Sequence, residues 1–290
     1  MTTPEIQWYP GHIAKAEKAL QEQLSRVDVV LEVRDARIPL ATRYPSLTKW
    51  LGEKAKILIL NRVDMITPEA KADWEAWFKA QGETAYFTNA QQGQGVTAIS
   101  KAAQAAGAAM NQRRCDRGML PRPVRAVVIG FPNVGKSALI NRLLKRKVVA
   151  SARRAGVTRQ LRWVRISGDL DLLDAPGVIP ARLDDQDAAL KLAICDDIGE
   201  AAYDTQRVAA VLIDLLKILQ EQHDLPFYGE ALENRYGLNP APLTGESFIA
   251  TLAEQRFQQD MERTARRLLD DFRTGHLGSL SLELPNPSCS

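Results

Sequence analysis

Up to about Pro180, short apolar runs that stop at turn or polar residues alternate with stretches whose apolar positions recur at helical spacing. VDVVLEV (Val27–Val33), KILIL (Lys56–Leu60), TAYFT (Thr84–Thr88), VRAVVIG (Val124–Gly130), RWVRI (Arg162–Ile166) and LDLLD (Leu170–Asp174) read as buried strands. Near-continuous apolar runs of this length are what a strand covered on both faces requires. Helical patterns lie at Ile13–Arg26, Pro68–Ala80, Val96–Met110 and Lys136–Lys145. This alternation predicts an α/β fold with a mostly parallel sheet. Gln91–Gly95 is a loop, and the polar, basic, proline-bearing stretch Asn111–Pro123 reads as an internal linker.

Beyond Pro180 the strand signals stop. Gln186–Asp197, Asp204–Gln220, Gly229–Tyr236, Gly245–Ala253 and Gln258–Arg273 read as helices, with Thr244 placed as an N-terminal cap and Gly275 as a C-terminal stop. The predicted division is an α/β domain over residues 1–182, a small all-helical domain over 183–283 and a disordered tail over 284–290, with the whole ending LELPNPSCS read as unstructured. A chain of 290 residues, 45% of them hydrophobic, has enough apolar surface for a sizeable core.

Charge sharpens the division. Residues 1–185 carry 29 Lys and Arg against 18 Asp and Glu, whereas residues 186–290 carry 9 against 17. The basic part suits a nucleic-acid partner. Three widely spaced cysteines offer neither a disulfide framework nor zinc spacing, which fits a reducing compartment. The N-terminus lacks a signal-peptide core, and the most apolar helix, Val208–Leu219, is cut by Asp214 and Lys217. The chain therefore reads as soluble and cytoplasmic, without membrane association, and it is expected to be a monomer.

The sharpest chemical signal is Gly130-Phe-Pro-Asn-Val-Gly-Lys-Ser137, between a predicted strand and a predicted helix. Glycines at both ends let the backbone curl so that N–H groups of Asn133, Val134, Gly135, Lys136, Ser137 and Ala138 face a nucleotide's phosphates, and the helix N-terminus adds partial positive charge. Lys136 is placed on the β- and γ-phosphates and Ser137 on magnesium. Further on, Leu170-Asp-Leu-Leu-Asp174-Ala-Pro-Gly177 ends a strand with an aspartate suited to hold magnesium through water, and with a glycine whose N–H can face the γ-phosphate. Thr158, in the Gly-flanked loop between them, is placed on magnesium and the γ-phosphate by its position alone. Earlier in the chain, Asn61-Arg62-Val-Asp64 follows the strand KILIL. The Asp64 carboxylate can accept from guanine N1–H and its exocyclic amine, which adenine cannot offer. Asn61 can bond the Hoogsteen edge and brace the phosphate loop. At the end of the next strand, Asn89 and Ala90 form the third base element, the Ala90 N–H being aimed at guanine O6.

These five motifs resemble those of the translation-factor-like GTPases, but the guanine motifs precede the phosphate loop. Rotating the chain order of an α/β domain preserves its site if the old termini are joined, and residues 111–123 look like that join. The order, with QWYPGHIAKA at Gln7–Ala16 and DARIP at Asp35–Pro39, resembles the bacterial ribosome biogenesis GTPase A family of circularly permuted P-loop GTPases. The resemblance implies binding and hydrolysis of GTP, stimulated by the ribosome, and a role in large-subunit assembly through ribosomal RNA. It implies that His12 positions the attacking water, because Val178 stands where Ras-like enzymes carry a glutamine. It implies a potassium ion beside Asn133, in addition to magnesium. Arg62 departs from the family, which usually has lysine there, and this bears on affinity more than on base choice. Without that glutamine, the alternative is a GTP-dependent scaffold with negligible turnover.

From Arg142 to Arg165 there are nine Lys and Arg and no acidic residue, and Arg113, Arg114, Arg117, Arg122 and Arg125 form a second group. Such unbalanced runs suit a phosphate-rich surface such as ribosomal RNA. The helix Gln258–Arg273 carries Arg263, Arg266, Arg267 and Arg273. Gly177 leads within about a dozen residues into the helical region, a short connection, so the γ-phosphate state is expected to set the pose of those helices.

Overall fold

A computed structural model of the chain describes residues 21–22, 24–44, 47–52, 54–144, 162–167, 170–174 and 185–285. Six strands form one sheet: β1 (Val29–Asp35), β2 (Ala55–Asn61), β3 (Ala85–Thr88), β4 (Val124–Ile129), β5 (Arg162–Ser167) and β6 (Leu170–Asp174). Their order is β3-β2-β1-β4-β6-β5; all neighbouring pairs are parallel except β5 with β6, which are antiparallel. All seven residues of β1 are buried, as a central strand demands. Three of them are charged. Glu32 and Arg34 lie on the same face at i, i+2, and the guanidinium meets the carboxylate with two bonds of 2.9 Å. Burial pushes the Glu32 carboxyl up, but Arg34 and Lys56 outweigh it and hold it below its usual value.

The helices of the first half are α1 (Leu47–Leu51), α2 (Pro68–Ala80), α3 (Val96–Asp116) and α4 (Lys136–Leu143). α2 starts where Thr67 accepts from the Ala70 N–H and Pro68 takes the first helical position. α1 leaves no periodic signature in the sequence, because a single turn carries too little periodicity. α3 runs six residues past Met110, so Asn111–Asp116 is helix rather than linker. That polar end is fastened: Asn111 donates to the Arg122 carbonyl at 2.9 Å and accepts from its N–H at 3.1 Å. Only Arg117–Pro123 remains as the connection to β4.

The second half folds into α5 (Gln186–Ile194), α6 (Thr205–His223), α7 (Phe227–Tyr236), α8 (Gly245–Arg256) and α9 (Met261–Arg273). Asp185, Asp204, Thr244 and Asp260 each accept an N–H of the first turn that follows, which sets four of the five starts. α6 is the central helix, packed on α5, α7, α8 and α9. Among the described residues no helix is long and apolar enough to cross a membrane. The start of the ending LELPNPSCS is ordered, contrary to the reading above. The N–H groups of Leu282 and Glu283 donate to the Arg37 carbonyl at 2.9 and 3.1 Å, and Glu283 accepts from Leu40 N at 2.7 Å. One buried apolar cluster runs from Val29 in the sheet through Leu192 and Leu216 to Leu282, so the two halves share a core.

Candidate functional site

The five mutually parallel strands bring their carboxyl ends to one edge of the sheet. There Asp35 lies beside Asn61, Asn61 beside Thr88, and Val128 of β4 beside Asp174. Ligand crevices of open α/β sheets form at such an edge. Every motif read from the sequence and described by the structure follows one of these strand ends.

Gly130–Gly135 curls between β4 and α4. Gly130 has φ 158, and a Cβ there would stand 2.2 Å from the Val33 carbonyl oxygen; Gly135, at φ 101, would put one 2.1 Å from Asn61 Nδ2. Both positions therefore require glycine. The Lys136 ammonium turns back into the curl and donates to the carbonyls of Phe131 at 2.6 Å and Gly130 at 3.1 Å. Ser137 is half-buried in the first turn of α4, and the backbone of Asp174 lies two residues from the start of the loop in register.

The N-R-V-D segment is fastened to this loop. Asn61 Nδ2 donates to the Val134 carbonyl at 2.8 Å across 73 residues of sequence. Its Oδ1 accepts from the Thr88 hydroxyl at 3.1 Å and the Ala90 N–H at 3.0 Å. The brace read for Asn61 is present, but the Ala90 N–H, read as a guanine O6 donor, is given to Asn61. Arg62 stands in the left-handed region at φ 65, reaches the Asn133 carbonyl at 2.6 Å and lies 3.5 Å from the Asp35 carboxylate. Asp64 is exposed in a short 3-10 turn, and its carboxylate bonds to none of the described residues. Asn89 shapes the following loop: Oδ1 accepts from Gln92 N at 3.0 Å and its carbonyl from Gly93 N at 2.8 Å. His12, Thr158 and Gly177 lie outside the described residues, as do most of the helix read at Ile13–Arg26 and the basic residues Lys145–Arg159.

Three features were not legible in the sequence. Arg142 stays exposed but folds from α4 onto the loop after β3, where it donates to the Ala90 and Gln91 carbonyls and lies against Gly93. Arg37 of the D-A-R-I-P motif is fully buried. It pairs with Asp35 at 2.7 Å, donates to the Cys195 carbonyl at 3.3 Å and stacks 5.2 Å from the Phe272 ring centre. Burial pushes the Asp35 carboxyl up, yet Arg37 and then Arg62 outweigh it and keep it ionised below its usual value. Beside them Asp197 is wholly buried, with neither carboxylate oxygen bonded to any described residue. Burial first, and the Asp35 charge second, push it well above its ordinary range, opposite in direction to Asp35. Finally, the Asn133 side chain donates to the Asp196 carbonyl at 2.6 Å. Apart from the Arg37–Asp35 pair, two residues apart, these contacts join residues far apart in sequence, and no periodicity encodes them.

Comparison with known proteins agrees with this geometry. The family described as 50S ribosome-binding GTPase matches residues 125–233, starting at β4 and its phosphate loop. The ribosome biogenesis GTPase A of Bacillus pumilus is 35% identical over 97% of this chain and 99% of its own length, and that of Bacillus cereus 34% identical over 97% and 94%. The crystal structure of GNP-bound YlqF from T. maritima superposes with a TM-score of 0.63 at 24% identity, covering 94% of this chain and 99% of that one, and so shares the fold. With its guanine-motif strands preceding the phosphate loop and a helical C-terminal region, the chain is a circularly permuted P-loop GTPase and belongs to the ribosome biogenesis GTPase A family.

Proposed function

We propose that this chain couples GTP hydrolysis to assembly of the large ribosomal subunit, docking through ribosomal RNA as a cytoplasmic monomer. Residues 1–182 form the permuted GTPase domain in this reading, and residues 183–283 form the helical domain it commands. The observation that carries it is the Asn61–Val134 bond: a base-reading segment is welded to a phosphate loop that follows it in sequence, as a permuted GTP site requires. Asp64, whose exposed carboxylate bonds to none of the described residues, reads the guanine. Asn61, Arg62, Asn89 and Ala90 frame the base. Asn133 to Ala138 cradle the phosphates, with the Lys136 ammonium leaving the loop carbonyls for phosphate oxygens.

Magnesium would take the Ser137 hydroxyl, Asp174 through water and Thr158, a set of hard oxygen donors completed by the phosphates. Its chemistry is to neutralise charge on the β- and γ-phosphates. Gly177 would meet the γ-phosphate, and His12 would orient the attacking water. Asn133 would hold potassium with the oxygen its amide turns away from Asp196.

Hydrolysis measured at saturating GTP with and without purified large subunits tests the reading. A rise of roughly tenfold, about 1.4 kcal/mol off the barrier, is expected; bound GTP with no rise would leave the scaffold. Binding to the subunit should weaken steeply with added salt, as phosphate contacts do. The base assignment has its own test. Asp64→Asn should move preference from guanine to xanthine, whose C2 carbonyl accepts from the amide, and unchanged selectivity in competition binding would remove Asp64 from the pocket.

A further inference from the structure

The C-terminal end of α5 is unusual in what covers it. A helix leaves its last four carbonyls without intrahelical partners and carries partial negative charge there. Here the partners come from three parts of the chain. Arg273, at the end of α9, donates to the Ala193 carbonyl at 2.8 Å and the Ile194 carbonyl at 2.9 Å. Arg37 donates to the Cys195 carbonyl. The carboxamide of Asn133, in the phosphate loop, donates to the Asp196 carbonyl at 2.6 Å. Asp196 sits at φ 66, with Asp196 N bonded to Ala193 O and Asp197 N to Leu192 O, the closed turn that ends many helices. The carbonyl facing Asn133 is therefore fixed by its own backbone.

Asn133 is gripped from the other side as well. Its φ is 59, and its backbone carbonyl accepts from Arg62 at 2.6 Å. A carbonyl can only accept, so the Asp196 oxygen determines which way the carboxamide turns: Nδ2 toward α5, Oδ1 away from it. The loop residue is thus clamped between the base-reading segment and the helical region.

We infer that the Cys195–Asp197 turn is a positioning element of the nucleotide site: through the Asp196 carbonyl it sets the conformation of Asn133, and through Arg273 it ties that setting to α9. Coupling of this kind is reciprocal, so a nucleotide that stiffens the loop also stiffens the turn. This route to the helical region bypasses the segment after Asp174 altogether. It rests on residues 130–137 being the phosphate loop, and it does not need Asn133 to hold potassium.

Amide hydrogen exchange on the full chain, with and without saturating GDP, tests it. GDP should slow exchange at the amides of Asp196 and Asp197 by roughly fivefold or more, the lower end of ordinary coupling strengths. Asn133→Gly keeps the left-handed backbone and deletes only the carboxamide; at GDP concentrations that saturate the variant, the protection at the turn should vanish while protection within the loop remains. Asp196→Gly keeps both the carbonyl and the turn, and should keep the response. Protection that is absent in the unaltered chain, or that survives Asn133→Gly, would overturn the coupling. No GDP binding to the unaltered chain would instead overturn the phosphate-loop reading. Should Asn133→Gly fail to fold, Arg273→Met cuts the same path outside the pocket and must lower the exchange response of α9 to GDP.

Discussion

Asp197 is the residue whose surroundings fit it least. It occupies the second position after the helix end in the α5 turn, where an apolar side chain ordinarily folds back onto the helix. A carboxyl there is buried with both oxygens unbonded among the described residues. An unsatisfied buried polar group costs about 1–3 kcal/mol, so Asp197→Ala should stabilise the chain by about 1 kcal/mol near neutral pH, after allowing for the small void. The pH dependence has a definite sign. The folded state holds the Asp197 proton more tightly than the unfolded chain, whose carboxyl titrates near 3.8. The contribution of the native carboxyl is therefore most favourable in acid, below that value, and is lost as pH rises toward the raised folded value. The gap between the denaturant midpoints of the two proteins should be smallest near pH 4 and widen as pH increases; a gap that ignores pH would mean that burial does not raise Asp197. The residue scale also shows where sequence reading stops. The places of Asn61, Asp64 and Lys136 at or after strand ends were legible because strand, turn and spacing announce them. The contacts of Arg37 with Cys195, Arg142 with Ala90 and Asn133 with Asp196 were not, because they span 158, 52 and 63 residues.

At the level of elements, strands and capped helices were readable for physical reasons. β2 and β4 are buried along most of their length, so their sequences are mostly apolar, and β1 holds its three charges in paired form. Four of the C-terminal helices begin at a side-chain cap. What sequence could not give is how closely the elements approach. α8 begins at Gly245, whose N–H donates to Asp214 of α6 at 2.8 Å. A Cβ on Gly245 would stand 2.1 Å from the Ala210 carbonyl oxygen. By helix propensity alone, alanine should be preferred to glycine by about 1 kcal/mol. Contact with a helix backbone reverses the sign, because neither partner can rotate away. Gly245→Ala should therefore destabilise by roughly 2–3 kcal/mol, visible as a lower denaturant midpoint at unchanged slope. A stabilised variant would mean that α6 and α8 pack less closely than this.

On the scale of the whole molecule, the charge asymmetry and the change from strands to helices suggest two separable domains, yet the chain end argues for interlocking. After α9 the backbone returns to the first half. Leu282 and Glu283 bond to Arg37. The Glu283 carboxylate takes the N–H groups of Leu40 and Ala41 and the ammonium of Lys191, and Leu284 packs beside Leu58, Trp74 and Phe78. The ending was read as loose because proline, serine and asparagine dominate it, and two apolar residues with one acid are too few to show a pattern. These contacts, with a core shared between sheet and helices, predict a single unfolding transition. The chain offers convenient probes. Its five tryptophans are at positions 8, 50, 74, 77 and 163, all in the first half, whereas far-UV circular dichroism reports helices from both. The two signals should coincide along a denaturant titration. Deleting residues 282–290 removes the strap and exposes the cluster around Trp74, so the fluorescence transition should move to lower denaturant and separate from the helix signal. If the shortened chain still unfolds with both signals together at the original midpoint, the strap contributes nothing, and the halves are held by the shared core and the α5 junction alone.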